Sequence, residues 1–486
     1  MIAADTEVRT LKFFVNGEWR EGEGDLHPVT NPATGEVIAR VPFAADAEID
    51  RAARAAHEAY LKWRDVPVVE RVQVLYRYKD LLEKNLEGIA RILTTENGKT
   101  LEDAKGSVRR AIQMVEVACG MPSLMMGQSL GNVSRGIDCH SIRQPLGVCV
   151  GVSPFNFQAM VLMWMFQFAI ACGNSFILKP SEKVPLTPTR TAELLGEAGL
   201  PAGVYNLVHG DKAAVEALIR HPLVRAVSFV GSTPVAKAVY ASAAAEGKRV
   251  QALGGAKNHL VAMPDANPEK AVEAIMSSAF GAAGERCLAG SVLVAVGDSS
   301  PVLDLLLEKT RKLSVGDGLA PSSEMGPLVT AEHRKKVAGY IDQGVAAGAE
   351  LLCDGRGHAA AAGEGFYLGP TIFDHVRPGM SIAREEIFGP VLSIIRVKDL
   401  DEAIALVNSS PFGNTTSIYT ADGKTAREYA ARIEVGMVGI NMGVAAPMAF
   451  FPFSGWKQSF FGDLHAHGRD AVAFYTEHKV VMTRWF

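Results

Sequence analysis

The sequence predicts an α/β protein built from two doubly wound parallel sheets, and three observations support this fold class. Strand-like apolar runs alternate with long helical segments between residues 148 and 245, and the alternation resumes between residues 259 and 420. Strands that are separated by helices need crossover connections, which give parallel pairing. With 486 residues, 48% of them hydrophobic, the chain is long enough for two or three domains.

The elements follow in order from the N-terminus. Residues 12–20 predict an edge hairpin, because Asn16-Gly17 is a strong signal for a two-residue turn. Apolar residues at helical spacing predict amphipathic helices at 46–60, 70–85 and 102–119. The first alternating set has strands at 148–152, 175–178, 204–208 and 226–230 and helices at 159–172, 188–198, 212–220 and 233–245. The second set comprises 259–263, 271–283, 291–296, 301–313, 331–347, 391–396, 400–408 and 416–420. We expect the two halves to join near Gly254-Gly255 and to leave a cleft between them.

Composition excludes several classes of function. The net charge is −4, and no run of five like charges occurs, which argues against nucleic acid or an anionic membrane as a partner. Met1–Thr10 lacks the apolar stretch of a signal peptide, and proline and glycine interrupt the apolar residues 146–180 too often for a membrane span. The six cysteines form no CxxC pair and no zinc-ligand spacing, so we expect free thiols, no metal and a reducing, cytoplasmic location.

Two residues are candidates for catalysis. Cys287 follows a stretch of small residues, and a cysteine thiolate can attack a carbonyl carbon to form a covalent intermediate. Asn156 follows the strand 148–152 and precedes a helix, where its amide could donate to a developing oxyanion. Each has a structural alternative, since a lone cysteine is usually a small buried hydrophobic residue and an asparagine here could be a helix N-cap.

Two further motifs lie at the carboxyl ends of predicted strands, where open α/β sheets bind nucleotides. In Lys179-Pro180-Ser181-Glu182, the lysine could reach a ribose or phosphate. Glu182 could accept both adenosine ribose hydroxyls and would repel a 2′-phosphate, which favours NAD over NADP. At Gly231-Ser232, helix-start amides could face a phosphate, although no GxGxxG motif follows any predicted strand. The alternatives are a turn with solvated charges and an ordinary glycine-serine turn.

A last motif, Glu386-Ile387-Phe388-Gly389-Pro390, could place a carboxylate under the nicotinamide ribose, or could be a helix end leading into a strand. Together, the motifs resemble the NAD(P)-dependent aldehyde dehydrogenase superfamily along nearly the whole chain. The resemblance implies an aldehyde dehydrogenase-like fold, with Cys287 as the nucleophile and Asn156 as the oxyanion donor. It also implies that NAD contacts the residues of these motifs, namely Phe155, Lys179, Ser181, Glu182, Gly231, Ser232, Glu386 and Phe388.

One departure from the superfamily is informative. Most members have Glu-Leu-Gly-Gly, whose glutamate activates the hydrolytic water, where this chain has Ala252-Leu253-Gly254-Gly255. This segment and residues 446–455 are similar to the CoA-acylating branch, the methylmalonate-semialdehyde and malonate-semialdehyde dehydrogenases. The resemblance implies oxidation of (methyl)malonate semialdehyde with NAD, through a thiohemiacetal and a thioester on Cys287. The products would be propionyl-CoA or acetyl-CoA, NADH and CO2 or bicarbonate, with CoA as co-substrate.

A substrate with a carboxylate needs guanidinium groups that can grip it in bidentate fashion. Arg110 and Arg286 are the candidates, and Arg110 lies where the branch carries a substrate-binding arginine. Arg109 would point about 100° away on the helix, so only one of the two adjacent arginines should face the pocket. The alternative for each is a surface ion pair.

Two rival functions remain. One is a hydrolytic NAD-dependent aldehyde dehydrogenase that gives a free acid, with Glu285 as the base, although Arg286 would hold Glu285 ionised but turned away. The other is a non-catalytic protein that kept the fold, against which the presence of both Cys287 and Asn156 argues.

The resemblance also implies a homo-oligomer, either a dimer or a homotetramer. We expect residues 1–121 and 141–253 to form an NAD-binding domain and residues 254–450 a catalytic domain with the nucleophile. Residues 122–140 and 451–486 would form the oligomerisation element and the C-terminal tail. In that tail, the apolar side chains of Phe474, Val480, Met482 and Trp485 look suited to strand pairing.

Overall fold

The computed structural model describes residues 8–486. The prediction that Met1–Thr10 is not a signal peptide falls mostly outside these described residues. The helices in chain order are α1 (Asp46–Trp63), α2 (Val68–Lys84), α3 (Leu86–Asn97), α4 (Leu101–Cys119), α5 (Met121–Leu124), α6 (Met160–Cys172), α7 (Leu186–Glu197), α8 (Lys212–Arg220), α9 (Thr233–Ala245), α10 (Pro268–Phe280), α11 (Ser300–Arg311), α12 (Ala331–Ala346), α13 (Ser381–Arg384), α14 (Leu400–Asn408), α15 (Gly423–Arg432) and α16 (Gly468–Phe474).

The strands in chain order are β1 (Arg9–Thr10), β2 (Phe13–Val15), β3 (Glu18–Arg20), β4 (Leu26–Thr30), β5 (Val37–Pro42), β6 (Ser129–Ser134), β7 (Ile137–Pro145), β8 (Val148–Val152), β9 (Ser175–Lys179), β10 (Tyr205–Leu207), β11 (Val224–Val230), β12 (Arg249–Leu253), β13 (Asn258–Ala262), β14 (Gly290–Val296), β15 (Glu350–Cys353), β16 (Thr371–Asp374), β17 (Val391–Val397), β18 (Phe412–Gly413), β19 (Thr415–Tyr419), β20 (Met437–Ile440), β21 (Trp456–Lys457), β22 (Phe460–Phe461) and β23 (Thr476–Arg484).

The first large sheet has the strand order β22-β12-β11-β8-β9-β10-β2-β3. Its five central strands, β12 to β10, are parallel, and apolar clusters cover both faces of the sheet. The hairpin β2–β3 forms one edge, as predicted, with Asn16 (φ 55°) and Gly17 (φ 78°) in the left-handed turn that joins its strands.

The second large sheet has the order β15-β16-β17-β14-β13-β19-β20, and all its neighbours are parallel except the pair β15–β16. Branched side chains of β13, β14 and β17 fill its core. The two sheets confirm the predicted α/β class with two doubly wound parallel sheets.

The registers of the strands bring the motif-bearing loops to two sheet edges. Val152 pairs with Lys179 and Val230 pairs with Leu253, so β8, β9, β11 and β12 end at the same edge of the first sheet. The second sheet presents its opposite, amino edge, where β13 begins at Asn258 and β14 begins just after Cys287. Because β12 leads into β13 through a short connection, the two edges meet around the expected cleft.

A third, antiparallel sheet has the order β23-β7-β6. β7 continues to Pro145, beyond the limit that we placed at residue 140. The inclusion of Phe474 in a strand is wrong, because this residue ends helix α16 and is only 1% exposed, packed in the core of the first large sheet. Val480 and Met482, by contrast, lie on β23 with 64% and 66% of their surface exposed.

Helix α6 accounts for the most apolar part of the chain. Nearly all of its residues are buried among helices and strands of the first large sheet, as a core helix requires. Within residues 8–486, no helix combines the length and the apolar character needed to cross a bilayer.

Candidate active site

The loop that carries Cys287 leaves helix α10 through a left-handed turn. Ala282 (φ 50°), Ala283 (φ 53°) and Gly284 (φ 73°) follow one another in this conformation. At Gly284 a Cβ atom would collide with the carbonyl of Gly389, so this position needs glycine.

The backbone of Cys287 is anchored from the second sheet. Its carbonyl oxygen accepts hydrogen bonds from the Nδ2 atoms of Asn258 and Asn414, each at 2.9 Å. Asn258 begins β13 and Asn414 directly precedes β19, so two strand starts fix the loop. The nucleophile candidate therefore has a defined position.

Asn156 reaches this loop from the first sheet. Its Nδ2 donates to the carbonyl oxygen of Glu285 at 3.0 Å, and Lys99 Nζ donates to the carbonyl of Asn156. The N-cap alternative fails, because α6 begins only at Met160. Asn156 thus binds a residue two positions before Cys287, which places its amide beside the loop of the nucleophile, where an oxyanion would form.

The surroundings of Cys287 favour its thiol over its thiolate. Burial raises the pKa of Cys287 to about 12, the negative charge of Glu386 adds to the rise, and Arg286 opposes it. A thiol with this pKa must lose its proton as it attacks, since the thiolate is the nucleophilic form.

A cavity of about 400 Å³ adjoins Cys287. Arg110 and Arg286 both line it, together with the rings of Trp164, Phe453 and His467. The two predicted substrate-binding arginines and the predicted nucleophile therefore share one cavity. Arg109, as expected from helix geometry, is exposed elsewhere on α4.

The two arginines have different partners. Arg110 Nη2 donates to the carbonyl of Ala446 at 3.1 Å and its Nη1 to Gln113 Oε1 at 3.2 Å, and both acceptors are uncharged. Arg286 forms an ion pair with Asp103 at 2.7 Å. Within the described part of the chain, Arg110 has no carboxylate partner and Arg286 has one.

Glu285 points away from the cavity. Its Oε1 accepts the N–H of Val329 at 3.2 Å and lies 3.6 Å from His333 Nε2. The expectation that Arg286 keeps Glu285 ionised is wrong, because Arg286 pairs with Asp103 and burial raises the pKa of Glu285 to about 8. A protonated carboxyl that is bonded elsewhere is a poor base for a water molecule near Cys287.

Ala252 is fully enclosed in β12. It pairs with Phe229 of β11 and Phe461 of β22 and has no exposed surface. The position where most of the superfamily carries a glutamate is therefore a methyl group packed in the sheet.

The motif Lys179-Glu182 lies at the end of β9. Lys179 Nζ is 3.2 Å from Glu182 Oε2, and burial of the lysine lowers the pKa of Lys179. Ser181 is buried beside them and accepts the N–H of Lys183 at 3.4 Å. The Glu182 side chain is 38% exposed, which leaves its carboxylate accessible.

Gly231 and Ser232 connect β11 to α9. Gly231 N donates to the carbonyl of Leu253 at 3.1 Å, and Ser232 is the N-cap residue but makes no side-chain capping bond. Among residues 8–486, no side chain therefore caps the start of the 13-residue helix α9, which suits an anion.

Glu386 and Phe388 come from the second sheet. Glu386 Oε1 accepts the N–H of Ala256 at 2.9 Å, and burial raises the pKa of Glu386. The ring of Phe388 meets the ring of Phe155 edge to face at 5.7 Å. The cofactor candidates from both sheets therefore lie at the two facing edges.

Sequence reasoning missed the residues that support the site. Asn258 and Asn414 hold Cys287, Lys99 holds Asn156, and Asp103 holds Arg286. No local pattern marks them, because each acts on a segment far away in sequence. Among residues 8–486, no group of three histidine, cysteine or acidic residues could hold a metal ion.

Comparison with known proteins supports one family. The aldehyde dehydrogenase family matches residues 19–481. Malonate-semialdehyde dehydrogenase 2 of Geobacillus thermodenitrificans (strain NG80-2) is 53% identical over 484 residues, which cover 99% of this chain and 100% of the relative. The malonate-semialdehyde dehydrogenase of Pseudomonas aeruginosa is 51% identical over 479 residues, or 98% of this chain and 96% of the relative.

Two solved structures show the same fold. The methylmalonate-semialdehyde dehydrogenase of Oceanimonas doudoroffii has a TM-score of 0.97 and 46% identity, covering 98% of this chain and 99% of that chain. A protein of Sinorhizobium meliloti 1021, provisionally assigned to the same activity and crystallised with NAD, has a TM-score of 0.97 and 44% identity, covering 99% of each chain. From the match along nearly its full length, this chain belongs to the aldehyde dehydrogenase family.

Proposed function

We propose that this chain oxidises malonate or methylmalonate semialdehyde with NAD and passes the acyl group to CoA. One combination of features carries the proposal. Asn156 binds the loop of Cys287, and a buried methyl group occupies position 252, where a hydrolytic enzyme would need a carboxylate. The names of the relatives above support the substrate class, and their identity near 50% extends over the whole chain.

The residues at the facing edges fit NAD. In the described part of the chain, helix α9 begins without a side-chain cap, and Glu182 has a carboxylate accessible to ribose hydroxyls. We assign cofactor contacts to Phe155, Lys179, Ser181, Glu182, Gly231, Ser232, Glu386 and Phe388, and the Sinorhizobium meliloti structure with NAD supports the assignment. When bound, NAD accepts the hydride that a thiohemiacetal releases, which leaves a thioester on Cys287.

Cys287 and Asn156 perform the covalent step. Cys287 Sγ attacks the aldehyde carbon, and the thiol proton, which the raised pKa of Cys287 favours at rest, passes by way of solvent to the aldehyde oxygen to give the hydroxyl of the thiohemiacetal. The negative charge that develops on the aldehyde oxygen needs a donor, and Asn156 Nδ2 is the side-chain amide beside this loop.

Arg110 is the group best placed to hold the substrate carboxylate. It lines the cavity beside Cys287 and its charge is not compensated by a carboxylate among the described residues. A guanidinium can bind a carboxylate through two parallel hydrogen bonds, which orients the aldehyde end towards the nucleophile. Arg286 contributes as a second donor on the other side of the cavity.

The thioester then changes in two steps. The acyl group on Cys287 carries a carboxylate at its β-position, and the carbon–carbon bond to that carboxylate breaks to release CO2, which becomes bicarbonate when a water molecule adds to it. A proton replaces the carboxylate on carbon, which leaves an acetyl or propionyl group on Cys287. The thiol of CoA attacks this thioester, the acyl group moves to CoA, and Cys287 recovers its thiol proton.

Hydrolysis is not favoured as the alternative. Ala252 offers no carboxylate, and Glu285, whose pKa burial raises to about 8, accepts the N–H of Val329 rather than facing the cavity. Neither residue can activate a water at the Cys287 thioester.

The proposal also assigns the chain to two domains and an oligomerisation element, and the protein to a homo-oligomer. Residues 1–121 and 141–253 bind NAD, residues 254–450 carry the nucleophile, and residues 122–140 and 451–486 form the oligomerisation element and the tail. The exposed apolar side chains of β23 support a dimer or tetramer. Six free cysteines support a reducing, cytoplasmic setting.

The proposal is tested by incubating the protein with malonate semialdehyde, NAD and CoA. NADH is followed by absorbance and the CoA ester by mass spectrometry. We expect equal amounts of NADH and acetyl-CoA, and neither product with the Cys287→Ala variant. NADH formation without any CoA ester would contradict the proposal.

A further inference from the structure

The loop that carries Asn156 has no regular secondary structure of its own. It joins β8, which ends at Val152, to α6, which begins at Met160. Loops keep a defined position only where contacts with the surrounding structure hold them. Asn156 lies in the middle of this loop, so the place of its amide depends on what binds residues 153–159.

Lys99 holds the backbone of Asn156. Its Nζ donates to the carbonyl oxygen of Asn156 and lies 4.3 Å from the centre of the Phe157 ring. Lys99 is only 2% exposed, and a charged donor forms a stronger hydrogen bond than a neutral one. Burial lowers the pKa of Lys99 to about 8, and the carboxylate of Asp103 opposes this shift, so the ammonium form prevails at neutral pH. One charged side chain therefore binds two consecutive residues of the loop.

The backbone of Lys99 is itself fixed by close contacts with the second half of the chain. Gly98, which follows the end of α3, is left-handed with a φ of 95°. A Cβ atom at Gly318 would collide with the carbonyl of Lys99, and one at Gly326 would collide with the carbonyl of Gly98. These glycines allow the two segments to pack tightly, which gives the lysine side chain a rigid base.

The neighbours of Lys99 hold other parts of the same loop. Asn97 Nδ2 donates to the carbonyl oxygen of Phe155 at 3.1 Å. Gln158 Nε2 donates to Glu96 Oε1 at 3.4 Å. Phe155, which we assign to a cofactor contact, thus keeps its own support when Lys99 is changed.

The side chain of Asn156 depends on the place of its backbone. Its Nδ2 donates to the carbonyl oxygen of Glu285 at 3.0 Å. An amide nitrogen carries two N–H bonds, so the second one can be directed at the oxygen of an aldehyde bound to Cys287. Donors stabilise an oxyanion best when their direction is set before the reaction. Lys99 at the backbone and Glu285 at the side chain together set this direction.

We propose that Lys99 is a positioning residue that fixes Asn156 as the oxyanion donor beside Cys287. It acts through its hydrogen bond to the backbone of Asn156 and not through contact with the substrate. The inference rests on the proposed function, because the oxyanion role of Asn156 belongs to that mechanism.

Two variants of Lys99 and one control test this role. Lys99→Met removes the donor and the charge and places an apolar chain that suits a buried site. Lys99→Gln removes the charge but keeps an N–H donor for the carbonyl of Asn156. Lys84→Met is the matched control, since Lys84 is an exposed lysine at the end of α2.

The first measurement reports on the loop without any substrate. Hydrogen–deuterium exchange of the peptide that contains residues 153–159 is compared among the parent and the three variants. We expect faster exchange in Lys99→Met, and exchange equal to that of the parent in Lys84→Met. Unchanged exchange in Lys99→Met would overturn the claim that Lys99 fixes the loop.

The second measurement reports on the chemistry. The rate of NADH formation in the first turnover is followed by rapid mixing with malonate semialdehyde at saturating NAD and without CoA. We expect about a tenfold loss with Lys99→Met and a smaller loss with Lys99→Gln, while the dissociation constant for NAD stays within twofold of the parent. An unchanged rate, or a loss with Lys99→Gln as large as with Lys99→Met, would overturn the inference.

A third measurement decides whether Lys99 acts through Asn156. In an Asn156→Ala background, Lys99→Met should change the rate of the first turnover by less than twofold, because the donor that Lys99 fixes is gone. An equal loss in both backgrounds would mean that the buried charge acts on Cys287 directly, and would overturn the inference.

The outcomes also separate this inference from the proposed function. A parent protein that releases free acid from malonate semialdehyde instead of acetyl-CoA would contradict the proposed function. The oxyanion forms in either reaction, so the three measurements would still decide the role of Lys99. A first-turnover rate in Asn156→Ala equal to that of the parent would overturn both the oxyanion role and the inference.

Discussion

At the scale of single residues, the cavity beside Cys287 depends on how its charges are partnered. Arg286 faces Asp103, whereas Arg110 faces a backbone carbonyl and a side-chain amide. A guanidinium that lines a cavity without a counter-ion gains favourable interaction energy when an anion binds beside it. The positive charge of Arg110 in the free protein therefore favours the binding of a substrate carboxylate.

This reasoning gives a prediction for Arg110. Arg110→Met removes the guanidinium but keeps much of the side-chain length, and should lower kcat/KM for malonate semialdehyde by roughly thirtyfold, about 2 kcal/mol. The loss should appear mainly in KM, with propanal affected little. Arg109→Met, at the exposed neighbouring position, is the control and should leave both substrates unchanged. Equal losses with both aldehydes would contradict the role of Arg110.

A second prediction concerns Asn156. Asn156→Ala removes the amide donor beside Cys287 and should lower kcat by about 10²–10³, the usual effect of losing one oxyanion donor. Steady-state kinetics with any accepted aldehyde measures this. A kcat within a few fold of the parent would show that other donors stabilise the oxyanion.

His209 makes stability depend on pH. It is fully enclosed, and burial lowers the pKa of His209 to about 3, although a backbone contact with Lys12 opposes the shift. In the unfolded chain the same imidazole gains a proton below its ordinary pKa of 6.5, so its contribution to stability is present above pH 6.5 and is lost as the pH falls. His209→Phe should therefore gain stability relative to the parent as the pH falls, by up to about 3 kcal/mol between pH 6.5 and 4.

Urea unfolding of both proteins across this pH range checks the prediction. The difference between their unfolding free energies should change steadily below pH 6.5 and stay constant above it. A difference that is independent of pH would mean that the native imidazole gains its proton as readily as the unfolded one.

At the scale of elements, the sequence predicted best where local signals and tertiary contacts agree. β8, α8 and α9 have the predicted bounds, and Asp211 caps α8 at its predicted start. β12 was not predicted, because its five residues become a strand through pairing with β11 and β22. α3 was not predicted either, because only Asn85 separates it from α2 and the boundary has no strong break.

The site residues were likewise predicted where a local motif marks them and missed where only tertiary contacts do. Motifs mark Cys287, Arg110 and Arg286, and the structure brings all three to one cavity. A motif also marks Asn156, which binds the loop of Cys287 at Glu285. Asp103 and Asn414 were missed, since they lie 183 and 127 residues from the positions that they bind. Interactions across such separations exist only once the fold has formed.

Strand β23 gives a prediction about assembly. Val480 and Met482 alternate along it with most of their surface exposed, as a strand face that packs on another subunit would have. Val480→Asp should shift the protein to smaller particles in size-exclusion chromatography with light scattering. Lys479→Ala, at the adjacent position on β23, is the control and should keep the parent size. An unchanged size for Val480→Asp would place the subunit contact elsewhere.

At the scale of the whole molecule, function comes from the meeting of two sheet edges. The carboxyl edge of the first sheet supplies Asn156, Lys179 and Ser232, and the amino edge of the second sheet supplies Cys287 and Glu386. Carboxyl edges of parallel sheets bind nucleotides, and a cleft between two domains excludes water from the chemistry. The fold thus brings a nucleotide and a nucleophile together without a hydrolytic base at Ala252.

The most direct test of this account is the fate of the acyl group on Cys287. The protein is mixed with malonate semialdehyde and NAD without CoA, and the intact mass and the Cys287 peptide are measured over time. We predict a persistent acetyl thioester on Cys287 that disappears on addition of CoA as acetyl-CoA forms. Rapid release of free acid without CoA, with no thioester detected, would contradict the account and assign the protein to hydrolytic chemistry.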